Sequence, residues 1–240
     1  MGAQGSTPKP TGPITIGYWG IRGLGAPLRM MCEYVGADYT DKQYTDFGKW
    51  FKEDKPALLK KNPLINLPYL VDGDTVVTQS CAVYQYFGRR YGLDKCSSEE
   101  EKNKLEQVTL EVFDLRNTMI ELVYPFKKVN RDEAEYSNSR KEQMKKAATT
   151  YAKLEAWLTH YNTTYLCGAT PMTPDFHFWE MMDQHEILAK TFDAPSPLAE
   201  FPKCKALYDA FRSLPALQKY FESEAYKLPI NNQGANAYFA

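Results

Sequence analysis

The sequence has almost no net charge, no long apolar run and no cysteine pairing pattern, and each absence closes off a class of function. Its 240 residues include 29 basic and 30 acidic side chains, a formal net charge of −1. A general nucleic-acid or membrane-surface binder would carry a basic excess. No uninterrupted apolar stretch approaches the ~18 residues of a membrane span, and the N-terminus lacks an apolar signal core. The five cysteines, Cys32, Cys81, Cys96, Cys167 and Cys204, are odd in number and scattered, without a Cys-x-x-Cys pair. That usage fits free thiols in a reducing compartment rather than a disulfide framework or a structural zinc site. The three histidines, His160, His177 and His185, have no thiolate or carboxylate at ligand spacing, so no metal is expected. Aromatics are plentiful, at 14% with 17 tyrosines, in a chain otherwise 43% hydrophobic and 25% charged. Such a chain reads as soluble and globular, one large domain or two small ones.

Met1 to Gly12 is small, polar and rich in Gly and Pro, and reads as a flexible extension. Ile14, Ile16 and Tyr18 then alternate with Thr15 and Gly17, the period of a strand. Leu28, Met31, Cys32 and Val35 share one face of a helix that Gly36 stops. Tyr39 to Tyr44 predicts a second strand, and Thr45 to Leu67 an irregular stretch. Pro68 to Val71 and Thr75 to Thr78, joined by Asp72-Gly73-Asp74, predict a hairpin. A helix through Val83, Tyr86 and Phe87 follows. The first unit is therefore mixed, in the order strand, helix, strand, loop, strand, strand, helix, and spans residues 13–93.

Beyond a linker at 94–98 the texture becomes helical through 99–240. Ser98-Glu99-Glu100-Glu101 is a helix start with acids in its first turn. Leu105, Val108, Val112, Leu115, Met119 and Leu122 keep helical spacing, and Arg131 to Tyr161 predicts a second long helix. Thr173-Pro174-Asp175 places a hydroxyl at the N-cap of a third.

Two segments carry chemistry. Tyr18-Trp19-Gly20-Ile21-Arg22-Gly23-Leu24 sets a tyrosine where a strand gives way to a glycine-rich turn, so its hydroxyl can project into a cleft. A phenol with an ordinary pKa near 10 stays protonated at neutral pH and donates to an anion. In the second segment, Asn66-Leu67-Pro68-Tyr69-Leu70-Val71-Asp72-Gly73 leads to Thr78-Gln79-Ser80. Gln79 and Ser80 precede a helix, whose N-terminal N–H groups favour an anion.

Together these segments resemble the glutathione-binding half of cytosolic glutathione transferases, the mu and pi classes most closely. The likeness continues through Glu106, Asp114-Leu115-Arg116, Phe201-Pro202 and Leu228-Pro229-Ile230-Asn231, covering about residues 13 to 232. It implies an N-terminal α+β thioredoxin-like domain followed by an all-α helical bundle, assembled as a cytoplasmic homodimer. It also implies conjugation of the glutathione thiolate to hydrophobic electrophiles, a detoxification chemistry. Glutathione would be a co-substrate, with no prosthetic group and no nucleic acid partner. Tyr18 would stabilise the thiolate. Trp19, Trp50, Lys55, Asn66, Leu67, Pro68, Gln79, Ser80 and Glu106 would hold glutathione, with Lys52 the alternative to Lys55 beside Trp50. Leu67-Pro68 would form a cis turn. Glu106 would reach across the dimer.

By the same resemblance, Leu24, Leu105, Val112 and Arg116 would line the electrophile site, with Trp19 and the tail around Tyr238 and Phe239. Arg116 would favour electron-rich or anionic acceptors or else pair with Asp114 or Glu111. Gly20 stands where mu proteins usually carry Asp, and the segment before Trp50 is shorter than theirs. Asp175 reads as a structural acid. Other readings on the same fold are a non-catalytic ligand carrier and a narrow glutathione-dependent isomerase such as a prostaglandin isomerase. Separately, Met1-Gly2-Ala3-Gln4-Gly5-Ser6 fits the N-myristoylation pattern, and membrane contact is expected only if Gly2 is acylated.

Overall fold

A computed structural model describes residues 12–124 and 133–235. The N-terminal extension with its acylation pattern, and Tyr238 and Phe239, lie outside the described residues. Strand β1 (Ile14–Trp19) is followed by α1 (Ala26–Val35), β2 (Tyr39–Tyr44), α2 (Lys55–Leu59), the hairpin strands β3 (Tyr69–Asp72) and β4 (Thr75–Thr78), and α3 (Ser80–Tyr91). Five helices then run through the second unit: α4 (Glu99–Val123), α5 (Glu133–Tyr161), α6 (Thr173–Thr191), α7 (Pro202–Arg212) and α8 (Gln218–Glu222). The sheet order is β2-β1-β3-β4, with β1 parallel to β2 and antiparallel to β3.

The period-2 pattern of β1 divides its side chains between two cores. Ile14 and Ile16 are buried with Leu28, Met31 and Cys32 of α1 and Val83 and Phe87 of α3. On the other face Tyr44, Trp50, Ile65 and Tyr69 form a separate aromatic cluster, against which Trp19 packs. Gly17 opposes Tyr69 across the β1–β3 ladder, and a Cβ there would sit 2.2 Å from the tyrosine ring. A glycine is what lets that ring lie flat on the strand.

The expectation of an irregular stretch from Thr45 to Leu67 is corrected by the structure. Lys49–Asp54 forms a wide, π-type helical turn that continues into α2. It is held by Trp50, which the residues around it bury completely. The start of α4 follows its sequence signal: the Ser98 hydroxyl accepts from the Glu101 N–H at 3.1 Å.

At α6 the predicted cap is corrected by one position. Met172, not Thr173, is the N-cap residue. A thioether caps poorly, and the work falls to Asp175, fully buried, whose carboxylate accepts from the Met172 N–H at 2.9 Å and the Leu166 N–H at 2.8 Å. Burial pushes its carboxyl up to about 7 against the pull of those two donors. Asp175 thus ties the α5–α6 loop to the central helix, the structural role expected of it. Replacing it with Ala strands two buried N–H groups, and we expect a loss of about 2–4 kcal/mol in urea-induced unfolding. Asp175→Asn, which keeps one acceptor, should lose less.

Candidate functional site

The site is built where β1 ends. Tyr18 is the penultimate residue of the strand, and its side chain leaves on the face opposite the aromatic cluster, towards α4 and α6. A pocket there is lined by Tyr18, Gly23, Arg116, Tyr124, Gln184 and Asn231, among others. The turn behind it is fixed at several points. Tyr84 donates to the Leu24 carbonyl at 2.7 Å, and Arg29, fully buried in α1, donates to the Ile21 carbonyl at 2.7 Å and to Asp41 at 2.8 Å. The backbone of Leu24 hydrogen-bonds the Tyr18 hydroxyl. At Gly25 a Cβ would fall 2.7 Å from the Tyr18 ring and 2.9 Å from the Arg29 guanidinium, so only glycine leaves both in place.

Burial raises the Tyr18 pKa, opposed by the Leu24 hydrogen bond and by the positive charges of Arg116 and Arg29. The phenol is therefore protonated throughout the physiological range, a donor rather than a base.

Arg22, two per cent exposed, locks this turn to the helical unit. Its guanidinium donates to both oxygens of Glu180, at 3.1 and 2.8 Å, and to Asp183 at 2.6 Å. Tyr208 and Tyr226 donate to Asp183, Gln184 donates to Glu180, and the Tyr226 ring lies 4.6 Å from the guanidinium carbon. Burial raises the Glu180 carboxyl despite Arg22. The Arg22 and Gly23 N–H groups donate to the carbonyls of Pro229 and Ile230, and the Asn232 N–H to the Tyr124 hydroxyl, so the tail is laid across the site. Sequence reasoning gave Arg22 and Arg29 no role. The only signal available was a charge placed beside otherwise apolar helix and turn positions.

The other expected residues divide. Leu67-Pro68 is cis, as expected. The Thr78 hydroxyl donates to the Asn66 carbonyl at 2.8 Å and accepts from its N–H at 3.0 Å, pinning the residue before that turn. Gln79 occupies the N-cap position of α3 with φ of 71°, a conformation that costs an ordinary side chain about 1–3 kcal/mol. It is exposed, and Ser80 half-buried, at the mouth of that helix end. Glu106 is exposed on α4, and its charge adds to burial in raising the Cys81 thiol. Leu105 and Arg116 are half-buried on α4, and Leu24 is buried in the turn.

Trp50 is buried, stacked on Tyr69 at 5.9 Å and packed on Tyr44 at 5.1 Å. Val112 is likewise fully enclosed in the bundle, because its α4 face meets other helices rather than the cleft. Lys55 is half-buried over the Phe51 ring and Lys52 exposed. Arg116 pairs with neither Asp114 nor Glu111; Glu111 holds Lys153 at 2.8 Å. Among the described residues no group of His, Cys, Asp and Glu is arranged to hold a metal, and no helix is long and apolar enough to cross a membrane.

Comparison with known proteins agrees with this layout. The family model for the glutathione S-transferase N-terminal domain matches residues 14–89, and that for the C-terminal domain matches 113–224. Glutathione S-transferase Mu 1 of Oryctolagus cuniculus is 31% identical over 229 residues, 91% of this chain and 95% of its own length. Glutathione S-transferase Mu 3 of Homo sapiens is 31% identical over 231 residues, 92% and 94% of the two chains. The solved structure of the glutathione S-transferase Blo t 8 superposes with a TM-score of 0.76 at 23% identity, covering 91% of this chain and 96% of that one. The pi-class enzyme of Onchocerca volvulus gives 0.73 at 23% identity, covering 92% and 98%.

Removing the Arg22 charge should test the clamp. Arg22→Met leaves Glu180 and Asp183 buried without a cation, and a loss of about 3–5 kcal/mol is expected at neutral pH. Glu180, already raised by burial, would then lie further above its unfolded value. The penalty shrinks as pH falls towards about 4, where the unfolded carboxyl also protonates. Urea titrations of both proteins across that range check the sign; a deficit that stays constant with pH would refute it.

Proposed function

The chain belongs to the glutathione S-transferase family, and from that membership we propose an enzyme in which Tyr18 holds the glutathione sulfur as a thiolate for attack on an electrophile. One observation carries the assignment of Tyr18: its hydroxyl ends a strand, lines a pocket between the two units, and is kept protonated by burial. A free thiol ionises at about 8.5. One charge-assisted hydrogen bond, about 1.5–3 kcal/mol, lowers that by about one to two. The thiol proton passes to solvent. The sulfur lone pair then forms the new bond to carbon, and the displaced group leaves with its own electron pair.

The remaining contacts follow from where the chain offers complementary groups. The N-terminus of α3, with Gln79 and Ser80, suits the γ-glutamyl carboxylate, and Glu106, reaching across the dimer, suits the amine. Leu67, next to the pinned Asn66 and ahead of Pro68, offers backbone groups for pairing with the cysteinyl residue as an added strand. Trp19 flanks the same strand end, and Lys55 is the cation assigned to the glycyl carboxylate. Leu24, Leu105 and Arg116 border the electrophile. Exposed Leu64 and Leu110 are apolar surface that a homodimer would cover. Hydrophobic electrophiles and a cytoplasmic setting complete the reading.

The test is glutathione conjugation to a chromogenic aryl halide by the wild type and Tyr18→Phe. The variant should lose about 10- to 100-fold in kcat/KM, and its pH–rate profile should move up by about one to two. A wild type that binds glutathione but is inert towards generic electrophiles would replace this reading with a carrier or a narrow isomerase.

A further inference from the structure

Arg116 stands on α4 and lines the same pocket as Tyr18, Tyr124, Gln184 and Asn231. Its guanidinium makes no ion pair among the described residues, and its hydrogen bond there is a 3.4 Å contact with Asn117 next to it. The neighbouring acids are already committed. Glu111 holds Lys153, Glu180 is taken by Arg22 and by Gln184, and Asp183 by Arg22 and two tyrosines. Asp114 is exposed.

An uncompensated cation shows in its neighbours. His177 is pushed down to about 3, first by burial and then by Arg116, and the same charge opposes the rise at Tyr18 and at Tyr84. A half-buried guanidinium without a counter-ion is a ready partner for an oxyanion, with a planar donor fork that matches a carboxylate.

The space fits such a group. Beside Tyr18 the pocket encloses about 20 Å³, room for about one water-sized oxygen at the guanidinium.

We propose that Arg116 anchors an anionic oxygen group of the electrophile, so that the acceptors this enzyme favours are carboxylate-bearing electrophiles rather than wholly apolar ones. The inference rests on the transferase reading above. The carboxylate takes no part in bond making: the thiolate attacks the electrophilic carbon, the leaving group departs with its electron pair, and Arg116 holds the acceptor in register.

The experiment pairs 4-chloro-3-nitrobenzoate with 4-chloro-3-nitrobenzamide, which share the ring and the chloride leaving group. Each kcat/KM is divided by the uncatalysed rate with glutathione. The wild type should favour the benzoate by about tenfold or more, the size of one charge-assisted hydrogen bond. Arg116→Gln should erase that ratio and Arg116→Lys keep part of it. An unchanged ratio in Arg116→Gln overturns the proposal even if both substrates react. Ligand-observed NMR with unreactive 3-nitrobenzoate and 3-nitrobenzamide reads the anchor without turnover. Selective binding of the benzoate by the wild type and not by Arg116→Gln supports it, and equal binding overturns it. If neither chloride is released while the benzoate still binds selectively, the transferase reading fails and the anion anchor stands.

Discussion

The placement of Tyr18 depends on one buried cation in the turn that follows it. Arg22 comes from the loop after β1, yet its partners Glu180 and Asp183 lie in the middle of α6, with 2.6–2.8 Å contacts and almost no access to water. Two carboxylates against one guanidinium leave a surplus negative charge, which Tyr208, Tyr226 and Gln184 solvate by donating to it. Such a cluster adds little net stability over a well-packed apolar one, but loss of any single member is costly. It tolerates one geometry, and that geometry fixes how the small α/β unit meets the helical one.

The consequences reach the site through short covalent paths. Arg22 and Gly23 carry the backbone N–H groups that hold Pro229 and Ile230, so the same turn positions both Tyr18 and the tail that covers it. Arg29 supports the turn from behind by binding the Ile21 carbonyl. The phenol is dry enough to keep its proton and close enough to the Leu24 backbone to keep its orientation. Preorganised donors of this kind need no reorganisation when charge develops on a bound ligand.

Much of this was legible in the sequence, because periodicity reports burial directly. The alternation of Ile14, Ile16 and Tyr18 and the spacing of Leu28, Met31 and Cys32 correspond to one strand and one helix packed on a common core. What periodicity misses is the identity of the neighbour. Trp50 sits in a lysine-rich segment without an amphipathic repeat, and nothing local tells that Tyr44 and Tyr69 close over it. Val112 has the same spacing as residues that border a cleft, and only the tertiary arrangement of the bundle decides which of them sees solvent. At Thr173 the local cap signal was strong, but a buried Asp175 three residues beyond the true cap outweighed it. Arg22 and Arg29 were passed over for a simpler reason: charged side chains are rarely buried, so a sequence reader leaves them on the surface.

The net charge of −1 conceals a separation of roles between guanidinia on either side of Tyr18. Arg22 is matched by more negative charge than it needs, so it cannot attract a ligand and serves only to hold position. Arg116 lines the Tyr18 pocket with no carboxylate paired to it among the described residues, so its field extends onto Tyr18 and His177. The residue type is the same at both positions. What divides a structural arginine from one available to substrate is the counter-ion, and α6 supplies two to Arg22 while α4 supplies none to Arg116.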